Sequence, residues 1–297
     1  MKVPIRFVCR LCRHFMVHLS FPTSQEWQAT GCRLGRQGLG DKARETSMII
    51  GVLGVGHLAT SMLAGFLRSG IDPAAVILSP RGKAAALAAR HGFQLAVDNR
   101  DLVERSDVVI LSVRPSHAPD AVQGLPWREG QVVVSVCAGV PLLRLDVAPA
   151  RAVRAMPFTA SEIASSPTAY FPDIEQARAV LDRLGPSIAL ASETDFEVAT
   201  VSAAVYGWAQ DLIRNTADWS SARGLDPAIA RRLAAMTFVA AGRLIAEKSE
   251  PMDQMLEELV TPGGITERGL QVLSARGVPA AWEEACAAVL DKLTRSG

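Results

Sequence analysis

Residues 51–59 read Gly51-Val52-Leu53-Gly54-Val55-Gly56-His57-Leu58-Ala59 and close the apolar run MIIGVLG that begins at Met48. A short apolar strand that runs into a glycine-rich turn and then a helix is the arrangement that receives a dinucleotide pyrophosphate. The first glycine makes the tight turn, the second lets the backbone approach the phosphates, and a small third residue lets the helix pack on the strand. Here Gly54, Gly56 and Ala59 fill those places, with Val55, His57 and Leu58 completing the cofactor loop. The helix that follows, over about 57–69, turns its free N–H groups toward the phosphates. His57 reads as an exposed residue of that loop rather than as an acid or base.

Working outward from this loop, strand and helix patterns alternate. The apolar runs are AVILS, FQLAV, DVVILSV, QVVVSVCAG, ARAVRAM, PTAYF and SIALA, with helical patterns at about 57–69, 81–91, 99–105 and 173–184. That alternation predicts a parallel α/β sheet, with the later strands extending it. After Glu193 the strand runs stop, and three long helical patterns follow at about 194–222, 226–247 and 251–293, the last interrupted by TPGG at Thr261–Gly264. The expected fold is therefore an α/β Rossmann domain (48–192) followed by an all-α dimerisation domain (193–297). In the helical part, Val198, Val201, Val205, Trp208 and Leu212 recur every three or four residues. Asp226 and Pro227 open the next helix as N-cap and first-turn residue, and Ile229, Leu233, Met236, Ala240 and Leu244 line one face. Phe238, Val239 and Ile245 fall outside that face, and a helix apolar on more than one side calls for a second subunit as cover.

Composition narrows the function classes. The 297 residues are 49% apolar and carry 31 Lys+Arg against 30 Asp+Glu, which excludes a disordered chain and gives no bulk attraction to nucleic acid. No run approaches the ~18 apolar residues that cross a bilayer, so no membrane partner is expected. Five Cys form no disulfide framework and point to a reducing, cytoplasmic setting. Residues 1–47 hold eight Lys/Arg, three Asp/Glu and three of the five Cys without sustained periodicity, and read as a poorly structured extension with Met48 as the functional start. Cys9-x-x-Cys12 there lacks a properly spaced second pair, and no metal site is expected. A chain begun at Met48 is expected to fold and to bind cofactor as well as the full chain.

The residues after the second strand choose between the nicotinamide cofactors. An NAD enzyme usually places a carboxylate there for the ribose 2′-hydroxyl. This chain reads Ser79-Pro80-Arg81-Gly82-Lys83, with two cations and no acid. Arg81 has the fork geometry for a 2′-phosphate and Ser79 a hydroxyl to assist, which favours NADP(H).

With these features in place, the chain resembles the pyrroline-5-carboxylate reductase family. The resemblance rests on GVLGVGHLATSML, SDVVILSVRPS, VVVSVCAGV, VRAMPFTA and LVTPGGITERGLQVL, which fall in order from Met48 to the C-terminus. It implies a Rossmann domain, a helical dimerisation domain and reduction of a cyclic imine to proline with NAD(P)H. It further implies that Val113, Arg114 and Pro115, with Arg114 where the family commonly has Lys, and then Cys137, Ala138 and Gly139, form two loops on the nicotinamide side of the cofactor.

The substrate side departs from the family. Phe158 stands where Met-Pro-Asn-Thr-Pro has Asn, and Ala160 where it has the second Pro. The family's Ser-Gly-Ser-Gly-Pro-Ala-Tyr loop, which holds the substrate carboxylate, corresponds here to Ser202-Ala203-Ala204-Val205-Tyr206-Gly207-Trp208, in which only Ser202 survives. Losing both glycines and the proline fits an uninterrupted helix better than an anion-binding turn. Arg114 or Arg154 is the expected replacement for the lost contacts.

A small-molecule imine or oxo substrate suits this residue set. Reduction needs the acceptor carbon near the nicotinamide and a proton for the heteroatom, and a basic imine arrives already protonated. Neither a nucleophilic triad nor a telling pair of carboxylates is evident. Ser202, Thr261 and Thr266 are the polar candidates for orienting the substrate. Three readings stay open at this level: a pyrroline-5-carboxylate reductase, a relative acting on another imine or oxo compound with Phe158, Tyr206 and Trp208 around a more apolar pocket, and a non-catalytic dinucleotide-binding dimer. A homodimer or higher homo-oligomer is expected in each.

Overall fold

The computed structural model describes residues 48–295. The expectations for residues 1–47, including the boundary at Met48 and the Cys9–Cys12 spacing, lie outside the described residues. The chain opens with β1 (Ile50–Leu53), α1 (His57–Arg68), β2 (Val76–Leu78), α2 (Ala84–His91), β3 (Gln94–Leu95), α3 (Asn99–Arg105), β4 (Val108–Leu111), α4 (Ala118–Val122) and β5 (Val132–Ser135). It continues through β6 (Arg151–Met156), β7 (Thr168–Phe171), α5 (Glu175–Leu181) and β8 (Ser187–Ala189).

The eight strands form one sheet in the order β3-β2-β1-β4-β5-β6-β7-β8. β1, β4 and β5 are buried at every position, which is why they read as continuous apolar runs instead of alternating ones. One face packs Ile50, Val52, Val108, Ile110, Val132 and Val134 against apolar residues of α1 and α5. The other packs Leu53, Val109, Leu111 and Val133 against α3 and α4. The sequence pattern predicted a parallel sheet extended by the later strands, yet β7 pairs antiparallel with β6, through Arg154↔Phe171 and Met156↔Ala169, and β8 runs parallel to β7. The short connection 157–167 returns the chain along the neighbouring edge, whereas a parallel neighbour needs a full crossover. β1 has β2 on one side and β4 on the other, so the chain switches direction there and opens a crevice beyond the carboxyl ends of these strands.

From Glu193 onward the chain is helical: α6 (Glu193–Thr200), α7 (Ser202–Ser221), α8 (Pro227–Glu247), α9 (Met252–Leu259), α10 (Ile265–Ala275) and α11 (Val278–Arg295). Ser192 caps α6 by accepting from the Asp195 N–H, and Asp226 caps α8 by accepting from the N–H groups of Ala228 and Ile229. The pattern expected over 194–222 is divided at Val201. There the Val201 N–H bonds to Val198 and the Ala204 N–H to Val201, a tightening of 3-10 type beside the back-bonded hydroxyls of Thr200 and Ser202. The last pattern is broken twice, at the TPGG turn and again at Arg276–Gly277.

Among residues 202–295 only Ala230 and Ala234 are buried within the chain. Val198 and Leu212 of the first stripe, Ile229, Leu233, Met236 and Leu244 of the second, and the off-stripe Phe238, Val239 and Ile245 are all exposed. α7 and α8 pack on each other, and Trp208 of α7 meets Trp282 of α11 edge to face at 5.3 Å. Soluble monomers rarely present apolar surface this extensive.

Candidate functional site

The groove beyond the β1 and β4 carboxyl ends has a volume of about 470 Å³ and is lined by Gly54, Val55, Gly56, His57, Leu58, Arg81, Gly82, Ser112, Val113, Arg114 and Val136. Gly54 has φ +97°, and a Cβ there would lie 2.6 Å from the Ser112 carbonyl oxygen. Only glycine makes that turn without displacing the β4 loop. A Cβ on Gly56 would instead point into open space, the place a phosphate group approaches the backbone. Gly56 is the N-cap of the twelve-residue α1 and makes no side-chain cap, so the helix terminus faces the groove. These features fit a dinucleotide pyrophosphate. A second hollow of about 510 Å³, lined by Pro80, Arg81, Val97, Asp98, Asn99, Arg100 and Leu125, shares Arg81 with the groove. A third of about 460 Å³ shares Arg114 and is lined by Pro115, Ser116, Pro119, Gly139, Val140, Pro141 and Arg144.

The sequence-predicted cofactor residues thus separate into groups. Gly54, Val55, Gly56, His57, Leu58, Arg81, Val113 and Arg114 line the groove together, while Pro115 and Gly139 line the hollow beside it. Ser79 lies beneath the loop: it is buried, and its Oγ accepts the Gly54 N–H at 3.0 Å. In this position it holds the glycine turn. Cys137 is buried too, with Sγ donating toward the Leu111 and Val113 carbonyls, and burial pushes its thiol above the ordinary range. Ala138 packs against a separate cluster of Met156, Phe158 and Phe196. Gly82, Ser112 and Val136 were missed by sequence reasoning, although each adjoins a strand end or a singled-out residue.

The substrate-side candidates are not gathered with the groove in one chain. Ser202 is exposed, and its Oγ donates to the Ala199 carbonyl at 2.6 Å. Thr261 and Thr266 are exposed on the TPGG turn, where the Gly263 N–H donates to Glu267 and the Gly264 N–H to Thr261. None of the three lines the groove. Arg154 also departs from expectation. Its side chain is 1% exposed, paired with Glu193 at 2.9 Å and with Glu197, and its guanidinium lies over the Phe196 ring at 4.6 Å. It pins α6 to β6 and does not present a cation to a ligand. Among the described residues, no group of three His, Cys, Asp or Glu could hold a metal ion.

Known proteins agree with this geometry. Residues 49–139 match the family model described as NADP oxidoreductase, coenzyme F420-dependent, and residues 193–295 match the model for pyrroline-5-carboxylate reductase dimerisation. The pyrroline-5-carboxylate reductase of Methanosarcina acetivorans is 25% identical over 253 residues, covering 80% of this chain and 93% of its own. That of Synechocystis is 28% identical, covering 80% and 94%. The chain belongs to the pyrroline-5-carboxylate reductase family. The family fold is also seen in the crystal structure of 1-pyrroline-5-carboxylate reductase from Streptococcus pyogenes, at a TM-score of 0.72 and 24% identity over 84% of this chain and 98% of that one.

Arg81 lines both the groove and the hollow beside it, and it is expected to tell the two nicotinamide cofactors apart. Arg81→Ala is expected to weaken NADPH binding by about 1.5–3 kcal/mol while leaving NADH nearly unchanged, because only the 2′-phosphate offers a charge-assisted contact. Titration of each cofactor by fluorescence checks this. Equal losses would show that Arg81 supports the loop or the adenine instead.

Proposed function

We propose that the chain is an NADPH-dependent reductase of a cyclic imine, either pyrroline-5-carboxylate, giving proline, or a close analogue. The observation that carries this reading is the glycine-turn groove, with Arg81 and no carboxylate at the β2 end, in a chain whose two halves match the family's two domains. Gly54, Gly56 and the α1 terminus would hold the pyrophosphate, Arg81 the 2′-phosphate, and Val113, Arg114 and Gly139 the nicotinamide half. When bound, NADPH supplies a hydride to the acceptor carbon and is the species oxidised. The chain's own task is to orient the acceptor and exclude water.

The exposed apolar surface of α8–α11 and the match to a dimerisation model support a homodimer or larger homo-oligomer. In such an assembly a second copy can bring Thr261, Thr266 and the TPGG turn to the groove. Sedimentation at micromolar concentration is expected to show no monomer, and Leu233→Asp with Met236→Asp is expected to disperse the assembly. A wild-type monomer would refute this arrangement. No helix among the described residues is long and apolar enough to cross a membrane, and the balanced charge gives nucleic acid no purchase. A reducing, cytoplasmic setting fits the free, buried Cys137.

The uninterrupted start of α7 favours the close analogue over pyrroline-5-carboxylate itself, since the segment aligned with the family's carboxylate-holding loop is helical. Incubating the protein and NADPH with a panel of cyclic imines and 2-oxo acids tests the reading. Oxidation of NADPH with a cyclic imine supports it. Cofactor binding without turnover of any member would identify a non-catalytic dinucleotide-binding dimer.

A further inference from the structure

We propose that Tyr206 is the proton donor to the reduced heteroatom, with Thr159 as its positioning residue, and that this pair adapts the site to acceptors that arrive unprotonated. The proposal rests on the reductase reading above. Tyr206 lies in the second turn of α7, and its ring stacks on Phe158 with centroids 5.1 Å apart and planes at 25°. Its Oη is 3.2 Å from Thr159 Oγ1. Phe158 and Thr159 immediately follow β6, and Phe158 belongs to the cluster against which both Ala138 and Tyr206 pack. Ala138 is two residues beyond Val136, which lines the cofactor groove. The phenol therefore stands where the segments that follow β5 and β6 meet α7, in a cluster joined to the groove through the Val136–Ala138 segment.

Other proton carriers nearby are committed elsewhere. Cys137 Sγ is buried and donates to backbone carbonyls, and Glu193 and Glu197 are engaged by Arg154. His57 is at the opposite, α1 end of the groove. The direct stacking of Tyr206 on Phe158 ties the start of α7 to the segment after β6.

The chemistry follows from the acceptor's protonation state. As hydride adds to the carbon of a neutral imine or carbonyl, the π pair passes to nitrogen or oxygen. That atom takes the proton from Tyr206 Oη, and the phenolate recovers one from water through Thr159 Oγ1. An iminium already carries its proton and makes no such demand. Tyr206 thus matters in proportion to how weakly basic the acceptor is.

The test compares Tyr206→Phe, which keeps the ring stack, with Thr159→Val and Thr159→Ser. For Tyr206→Phe, the ratio of kcat for a ketone or weakly basic imine to kcat for a strongly basic cyclic imine at pH 6 is expected to fall about a hundredfold or more. Thr159→Val should lower the same ratio in part and alter the pH profile, and Thr159→Ser should restore both. A second readout needs no turnover: calorimetric binding of 2-pyrrolidinone, whose carbonyl accepts a hydrogen bond, to the NADP⁺-loaded protein. Tyr206→Phe is expected to weaken it about three- to tenfold, with pyrrolidine affected less. An unchanged kcat ratio, equal effects on lactam and amine, or no lactam binding by the wild type would overturn the assignment. If no acceptor is reduced, the reductase reading fails by itself, and the lactam comparison still decides whether Tyr206 donates a hydrogen bond in the site.

Discussion

Replacing Arg154 with alanine is expected to cost the fold about 3–5 kcal/mol. The guanidinium is sealed between β6 and α6, with Glu193 and Glu197 both on its Nη1 and the Phe196 ring below. Its Nε and Nη2, together with Glu197 Oε2, are buried without a hydrogen-bond partner among the described residues, so the network already carries a desolvation penalty. Removing the cation leaves two partly buried carboxylates, 20% and 33% exposed, facing each other with no counter-charge. It also strips the stem packing from the joint between sheet and helices. Glu193 has a second duty, since its Oε1 accepts the Leu142 N–H at 2.8 Å and so fixes the turn beyond β5. Urea unfolding at fixed protein concentration measures the loss. Arg154→Met combined with Glu193→Gln and Glu197→Gln should recover most of it, because neutral groups of similar volume have no buried charge to strand. A loss under about 1 kcal/mol for Arg154→Ala would mean that the carboxylates relax into solvent.

How much of this was legible in the sequence depends on how local each cause is. β1, β4 and β5 are apolar throughout because both faces are covered, and the glycine loop is specified by its own backbone. Asp226–Pro227 announced α8 through capping within a few residues. The reversal at β7 had no such local signal: Thr168–Phe171 would look the same in either direction, and the length of the connection and the position of β6 decide it. Arg154 looked like an available cation because its partners stand 39 and 43 residues away on another element. Ser79 was placed in this loop, but its hold on the glycine turn was not legible, since nothing in the sequence shows that the Gly54 N–H reaches it. The Tyr206–Thr159 contact spans 47 residues and joins two segments whose only warning was departure from a family pattern. Apolar positions on more than one side of α8 did foretell a helix that its own chain cannot cover.

Pyrroline-5-carboxylate itself is expected to be reduced with a kcat/KM at least about a hundredfold below that of a dedicated enzyme, for which ~10⁴ M⁻¹ s⁻¹ is ordinary. A turn that holds a carboxylate does so with unpaired backbone N–H groups and hydroxyls, each charge-assisted contact contributing roughly 1.5–3 kcal/mol. In this chain the N–H groups of Ala204 and Val205 are bonded to the Val201 carbonyl, and Ser202 Oγ is donated to Ala199. The helix has consumed the donors. Arg154 cannot replace them, because Glu193 and Glu197 hold it beneath α6. Arg114 remains, since it lines both the cofactor groove and the adjoining hollow. Steady-state reduction of pyrroline-5-carboxylate beside the same ring without its carboxylate separates the cases. If the carboxylate confers little advantage, the altered α7 start has removed its anchor. An efficiency of order 10⁴ M⁻¹ s⁻¹ or more would sink the prediction, and Arg114→Ala would then show whether this cation had taken the anchor's place: a rise in KM confined to the carboxylate substrate assigns that role to it, whereas equal losses for both substrates place it with the cofactor.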